Sequence, residues 1–329
     1  MYIISILLGV IILYEIKFHY PDGDDFFTKR DTTVIKGICA ILIMSHHIVQ
    51  QTQYTFPINM YARIGCLVCA IFFFLSGYGI YCSYTNNKKK FVKSMRQRIF
   101  KLAIPLYLAE VINMMLHLIN GDKIFYTFEN GNLFGNWFFY VIVIEYLMFT
   151  AIFCFWKIDS GYKCIILFVI TFMLNYILWK LGWQGWWWNS SLTFSMGILV
   201  AQYKTKILKN ISWKLMCFLI SFSVIIYSIL RWVNVNYSEF NNIYFLTETL
   251  APMFFALFVV MVLGFVRISS NFLYFVGLFS YEIFLFHYIF MYVFRGIVYV
   301  NSDAFFSLCV VTFTLVFSAM FYRLKKNIM

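Results

Sequence analysis

The chain has 329 residues, of which 62% are apolar, 22% aromatic and only 12% charged, with a mean hydropathy of +0.78. Soluble domains carry about a quarter charged residues, so this composition excludes a water-soluble globule. A formal charge of +12 would suggest nucleic acid in a soluble protein, but here the charges lie between apolar runs and no nucleic-acid partner is expected.

Crossing about 30 Å of hydrocarbon takes roughly 20 helical residues. Eleven runs reach or approach that length, at 2–16, 34–53, 61–84, 99–119, 134–156, 162–181, 186–203, 211–231, 244–266, 273–295 and 304–322. They are apolar almost all round and lack the strict alternation of barrel strands, so the expected fold is all-α, a polytopic transmembrane helical bundle of about eleven spans. The first run lacks the basic flank and small-residue cleavage site of a secretory signal and reads as a retained helix. Pro21-Asp22-Gly23-Asp24-Asp25 then reads as a solvated turn rather than a cation site, with Lys29 and Arg30 beside it.

The second run carries Lys36, His46 and His47. Lys36 and His47 are eleven residues apart, which is three helical turns with about 20° between their faces and about 16 Å along the axis. The third run holds Cys66, Cys69, Ser76, Gly77, Tyr78 and Gly79. Its two cysteines have a metal-like spacing but no second pair nearby, so they read as small core residues and no metal is expected. Its glycines permit close helix packing or passage of a thin substrate arm. Later runs bring Glu110, Glu145, Glu248, Glu282 and His287 into the bilayer, where ionisable groups face protein or water and mark function or interhelical polar contacts. Ser280 and His287 share a face of the tenth run at i, i+7, and His287 falls at nearly the depth of His47, so the two imidazoles are expected to meet. Between the sixth and seventh runs, the Trp183 to Asn189 segment is the densest aromatic cluster, an interfacial belt or a stacking platform for a sugar.

All the basic residues except Arg63, Lys123, Lys180, Arg231 and Arg295 fall on one side of an eleven-span alternation. Cytoplasmic loops retain Lys and Arg, so the N-terminus is expected outside and the C-terminus inside.

Several of these residues also carry a family resemblance. The segment from Lys36 to His47 resembles the basic-x10-His helix of the acyltransferase family 3 membrane proteins. Phe72-Phe73-Phe74-Leu75-Ser76-Gly77-Tyr78 is similar to that family's FF-x-x-SG-aromatic helix, Arg98-x-x-Lys101 before Pro105 to its RxxR segment, and Trp137-Phe138 to its WF helix start. Ser280 to His287 resembles the SYEIYLxH near the family's C-terminal end. The chain departs from the pattern in having Lys36 and Lys101 where Arg is common, which removes a bidentate fork, and Ala70 where many members have Asp.

The resemblance implies an extra N-terminal helix and loop at 1–33 followed by an acyltransferase-like domain at 34–329. It implies an acyl-CoA donor, most often acetyl-CoA, and a hydroxyl acceptor on an envelope or exported polysaccharide or glycoside, in the cell membrane of a bacterium. His47 is then the expected base and His287 its catalytic partner. Lys36, Arg98, Lys101, Ser76 and Tyr78 are the expected donor-binding residues, and Glu145, Glu282, Trp137 and Trp186 the expected acceptor contacts. A proton-coupled transporter or glycan flippase using the same buried acids and histidines is the alternative, although no inverted repeat or pair of broken helices favours it.

Overall fold

The computed structural model describes residues 1–18, 27–122, 137–210 and 212–328. The expected turn at Pro21 to Asp25, Lys123 and the first residues of the fifth run lie outside them. Each of the eleven runs forms helix: α1 (Tyr2–Tyr14), α2 (Lys29–Gln50), α3 (Gly65–Asn86), α4 (Phe91–Ile119), α5 (Trp137–Thr150), α6 (Ser160–Lys180), α7 (Leu192–Asn210), α8 (Trp213–Tyr237), α9 (Asn241–Phe265), α10 (Asn271–Leu278) with α11 (Ser280–Tyr292), and α12 (Asp303–Ile328). Among the described residues, eight helices are long and apolar enough to cross a membrane, or nine if the bent pair α10 and α11 counts as one span.

That count is below the expected eleven for two physical reasons. Helix α1 has 13 residues, about 20 Å at about 1.5 Å per residue, shorter than the hydrocarbon it would have to cross. Helix α7 begins at Leu192 rather than 186, because Gly185–Trp187 is a single tight turn, and its second half carries Gln202, Lys204, Lys206 and Lys209. The tenth run also differs from expectation, since the chain bends by 73° between α10 and α11 at Phe279.

Local chemistry explains where α2 starts. Thr28 and Asp31 form a reciprocal capping box, the Thr28 hydroxyl accepting from the Asp31 amide and the Asp31 carboxylate accepting from the Thr28 amide at 2.9 Å. Close packing then rests on glycines at two crossings. A Cβ added at Gly37 would sit 2.1 Å from the Leu273 carbonyl oxygen, and one at Gly277 would sit 1.8 Å from that of Thr33, so α2 and α10 touch backbone to backbone. Gly77 and Gly197 do the same for α3 and α7, with the Phe194 and Phe74 carbonyls at 2.0 and 2.1 Å; Gly79 faces open space.

The chain also contains a short antiparallel ribbon, β1 (Ile16–Phe18) against β2 (Val266–Ile268), which ties the segment after α1 to the end of α9. Arg30 reinforces that end by donating to Asn271 Oδ1 at 2.6 Å. Helix α8 packs mainly on α9 and exposes Phe218, Phe222, Ile225, Ile229 and Trp232, a surface suited to lipid. By contrast α11 buries Glu282, Phe286 and His287 at 1%, 0% and 0% exposure, while Tyr288 on its other side is half-exposed. The bent helix therefore brings the last of the candidate site residues to the middle of the bundle.

Candidate functional site: two cavities along one helix

A chamber of about 1170 Å³ is bounded by the C-terminal half of α2, the start of α3, the second half of α4, the start of α5, the Gln184 to Asn189 turn and α11. His46 and His47 lie on its wall. His287 sits directly behind, its ring stacked on that of His47 with centroids 5.1 Å apart and planes 23° from parallel. The two imidazoles expected to meet from remote stretches of chain thus do so.

The hydrogen-bonding around them fixes where each proton sits. A carbonyl only accepts, so His287 Nδ1–H donates to the Ile283 oxygen at 2.9 Å and its Nε2 carries the lone pair. Likewise His46 Nδ1–H donates to the Tyr61 oxygen at 2.9 Å, and its Nε2 accepts from the Gln50 amide at 3.3 Å. The other end of the Gln50 amide, Oε1, then accepts from His47 Nδ1–H at 3.1 Å. This leaves the His47 lone pair on Nε2, with the Tyr288 hydroxyl 2.9 Å away. The same hydroxyl is 2.8 Å from Nδ1, and an oxygen about equally near both ring nitrogens lies over the ring face rather than along either in-plane lone pair. Gln50 therefore sets up His47 as a base, with Tyr288 over its ring, and neither is distinguished by the motifs in the sequence. Gly65 is required beside them, because a Cβ there would fall 2.4 Å from His46 Nε2.

A second, smaller cavity of about 130 Å³ is lined by Lys36, Phe72, Ser76, Leu102, Phe138, Ile142, Tyr146, Ser280, Tyr281 and Phe284. Phe284 borders both spaces. With Phe138, 5.1 Å away, and Phe72, 6.3 Å from Phe138, it makes an aromatic partition between them. The α2 stripe inferred from the spacing of Lys36 and His47 therefore places a cation in one cavity and an imidazole in the other. Arg98 lies within electrostatic reach of Lys36 and Tyr146.

The remaining expected site residues are distributed as follows. Ser76 lines the small cavity; Trp137 and Trp186 line the chamber. Lys101 is exposed and lines neither. Tyr78 is buried against Phe27, with ring centroids at 5.6 Å. Glu145 is buried and accepts from the Thr171 hydroxyl at 3.2 Å, and Glu282 is buried in an ion pair with Lys325 of α12, both away from the two cavities. Ala70, the position matching the family's Asp, is also buried away from both, and its carbonyl accepts from the Thr193 hydroxyl at 2.8 Å. Cys66 and Cys69 border the chamber, and Cys69 is at the same time buried in the hydrophobic core, as expected of a small core residue.

Sequence reasoning passed over Asn113 and His117, and it left Glu110 without a place. All three line the chamber at i, i+3 and i+7 of α4. A polar face at helical spacing inside an apolar span was the available signal. At the rim, His117 Nδ1 is 2.8 Å from Asp122, and Tyr292 also donates to that carboxylate. These two donors, Tyr292 first, hold the Asp122 carboxyl below the usual carboxylate range. Among the described residues no group of three or more metal-ligating side chains gathers.

Fold and site together define a multi-pass helical membrane protein built around a histidine-lined internal chamber. The acyltransferase domain model matches residues 31–323, and the chain belongs to the acyltransferase 3 family. No curated protein and no solved structure gives a significant match.

Proposed function

We propose that this protein is an integral membrane O-acyltransferase that moves an acyl group, most often acetyl, from cytoplasmic acyl-CoA to a hydroxyl of an envelope or exported polysaccharide or glycoside. Family membership supports acyl transfer. The observation that carries the finer reading is the pair of cavities strung along α2, one with a cation and one with a prepared base.

In this reading the two substrates arrive from opposite faces. Lys29 and Arg30 at the start of α2 and Lys88, Lys89 and Lys90 between α3 and α4 lie at the same end of the bundle as the small cavity, because Lys36, Ser76 and Leu102 belong to the corresponding halves of those helices. The positive-inside rule makes that end cytoplasmic in a bacterial cytoplasmic membrane. CoA is a cytoplasmic polyanion, so Lys36 and Arg98 attract its phosphates while Ser76 and Tyr146 flank the arm that carries the thioester. The arm reaches past Phe284 into the chamber, about 16 Å along the helix from Lys36 to His47.

The acceptor occupies the chamber from the other face, bordered by Trp137 and Trp186. His47 Nε2 removes the hydroxyl proton, and the oxygen attacks the thioester carbonyl. The C–O bond forms, the C–S bond breaks, and the departing CoA sulfur takes the proton back from the imidazolium. His287 supports the charge that His47 acquires. Alignment of donor and acceptor beside the base supplies much of the rate.

The test is acceptor-dependent release of free CoA by the purified protein in lipid. His47→Ala should lower it by about 10²–10⁴, the usual contribution of a general base. Retained transfer in that variant would refute the base assignment. Ion-gradient-driven flux without CoA release would replace the whole reading by transport.

A further inference from the structure

The chamber wall has an uneven charge inventory. Arg295, the cation that the described residues place on the wall outside the imidazoles, is saturated. It pairs with Asp303, donates to the Val300 carbonyl and to those of Asn301 and Gln51 at 3.3 Å each, and stacks over Phe306 at 4.2 Å. His117 is matched with Asp122. His46 and His47 are committed to Tyr61, Gln50 and Tyr288. Glu110 alone makes no hydrogen bond or ion pair with any described residue, although it is partly buried and faces the chamber. Tyr140 and Tyr281 lie nearby but do not bond to it.

The rest of the wall supplies uncharged recognition. Gln50, Asn113, Gln184 and Asn189 offer amide donors and acceptors, and Trp137 and Trp186 offer flat apolar faces. Such a set suits the hydroxyls and ring faces of a sugar. At about 1170 Å³ the chamber is larger than the roughly 300–1,000 Å³ of ordinary small-molecule sites, so it has room for more than a single small metabolite.

We propose that Glu110 is a specificity-determining residue that restricts the acceptor to uncharged saccharides and rejects anionic ones. This deepens the proposed function and rests on it. A uronate or phosphorylated sugar entering this space meets a carboxylate that no cation among the described residues offsets. At about 6 Å and an effective dielectric constant of about 20, repulsion from the ionised carboxylate amounts to at most roughly a hundredfold in affinity, because protonation of Glu110 caps it. A neutral sugar instead uses the Glu110 carboxylate as a hydrogen-bond acceptor for one of its hydroxyls.

The experiment uses purified protein in lipid nanodiscs at mildly alkaline pH, where carboxylates are ionised, with acetyl-CoA and matched oligosaccharides that differ only in carrying a hydroxymethyl or a carboxylate on one ring. Free CoA and the mass of the ester product are both read. The wild-type protein should favour the neutral member by tenfold or more. Glu110→Gln should lower that ratio by about tenfold or more, and Glu110→Asp, which keeps the charge, should preserve it. Should Glu110→Gln fail to fold, the wild-type preference and the Asp variant still decide. Transfer by the wild type without discrimination, or with preference for the uronate, would overturn the inference while leaving acyl transfer intact. Equal loss of turnover on both acceptors in Glu110→Gln would also overturn it, by giving the carboxylate a part in the chemistry. Absence of transfer to every acceptor would instead refute the function on which it depends.

Discussion

Glu282 lies in the segment that most resembles the family's terminal motif, yet its carboxylate is 1% exposed and held by Lys325 of α12, which is itself 18% exposed. Replacing Lys325 with Met keeps much of the stem's apolar surface and removes the only cation paired with that carboxylate among the described residues. Breaking a buried pair by deleting one partner costs about 3–5 kcal/mol, because the remaining charge is left without compensation. With roughly 2–4 °C per kcal/mol for a domain of a couple of hundred residues, the melting temperature of Lys325→Met should fall by on the order of 10 °C. Glu282→Gln should cost less, since it leaves the lysine free to reach water. The double variant should recover most of the loss, so the two substitutions couple strongly in a thermodynamic cycle. The assay is thermal unfolding of the purified protein in one detergent, followed by size-exclusion fluorescence. Additive effects, or a Lys325→Met variant as stable as wild type, would refute the assignment of Glu282 as an internal anchor of α12. An intact melting temperature with acceptor affinity lost in Glu282→Gln would return it to the acceptor site.

Four further outcomes follow from the geometry. Gln50→Leu removes the amide that directs the His47 proton to Nδ1, so turnover should drop by about tenfold at unchanged affinity for acyl-CoA, the effect of losing about 1.4 kcal/mol of orientation; an unaltered rate would refute the relay. Lys36→Ala should raise the KM for acyl-CoA far more than it lowers kcat, and a pure kcat effect would contradict its place in the donor cavity. Gly77→Ala should cut folded yield sharply because a Cβ there meets the Phe194 carbonyl at 2.0 Å, whereas Gly79→Ala, with nothing within 4 Å, should match wild type in yield. Asp122, held below the usual carboxylate range by Tyr292 and His117, contributes stability above the carboxyl's unfolded pKa and loses it as pH falls through the depressed folded value. Tyr292→Phe should therefore shift the Asp122 titration upward, towards its ordinary value, which carboxylate-labelled NMR reads directly.

Apolar length was the most legible feature of the sequence, since a backbone in hydrocarbon has to bond to itself, and all eleven runs are helical. What length does not reveal is where a helix stops or bends. The break at Phe279 carries no proline, and Gly277 two residues earlier serves the contact with Thr33 rather than the bend. Three-residue strands such as Ile16–Phe18 are too short to show an alternation, so the ribbon was invisible. Helix periodicity brought Lys36 and His47 to one stripe, and counting along the tenth run brought His287 to the depth of His47. The partition by Phe72, Phe138 and Phe284 depends on three side chains from different helices and could not be read from any one of them. The buried carboxylates show the same limit. Nothing local separates Glu110, which faces the chamber, from Glu145 and Glu282, whose partners Thr171 and Lys325 lie 26 and 43 residues away in sequence.

The central claim is that a donor from one face and an acceptor from the other meet at His47. It is tested by reconstituting the protein in sealed liposomes with a neutral oligosaccharide trapped inside and radiolabelled acetyl-CoA added only outside. The account predicts labelled oligosaccharide within the lumen for the wild-type protein and none above background for His47→Ala. Label that appears only when both substrates share a compartment, or that forms equally well without the His47 imidazole, would contradict it.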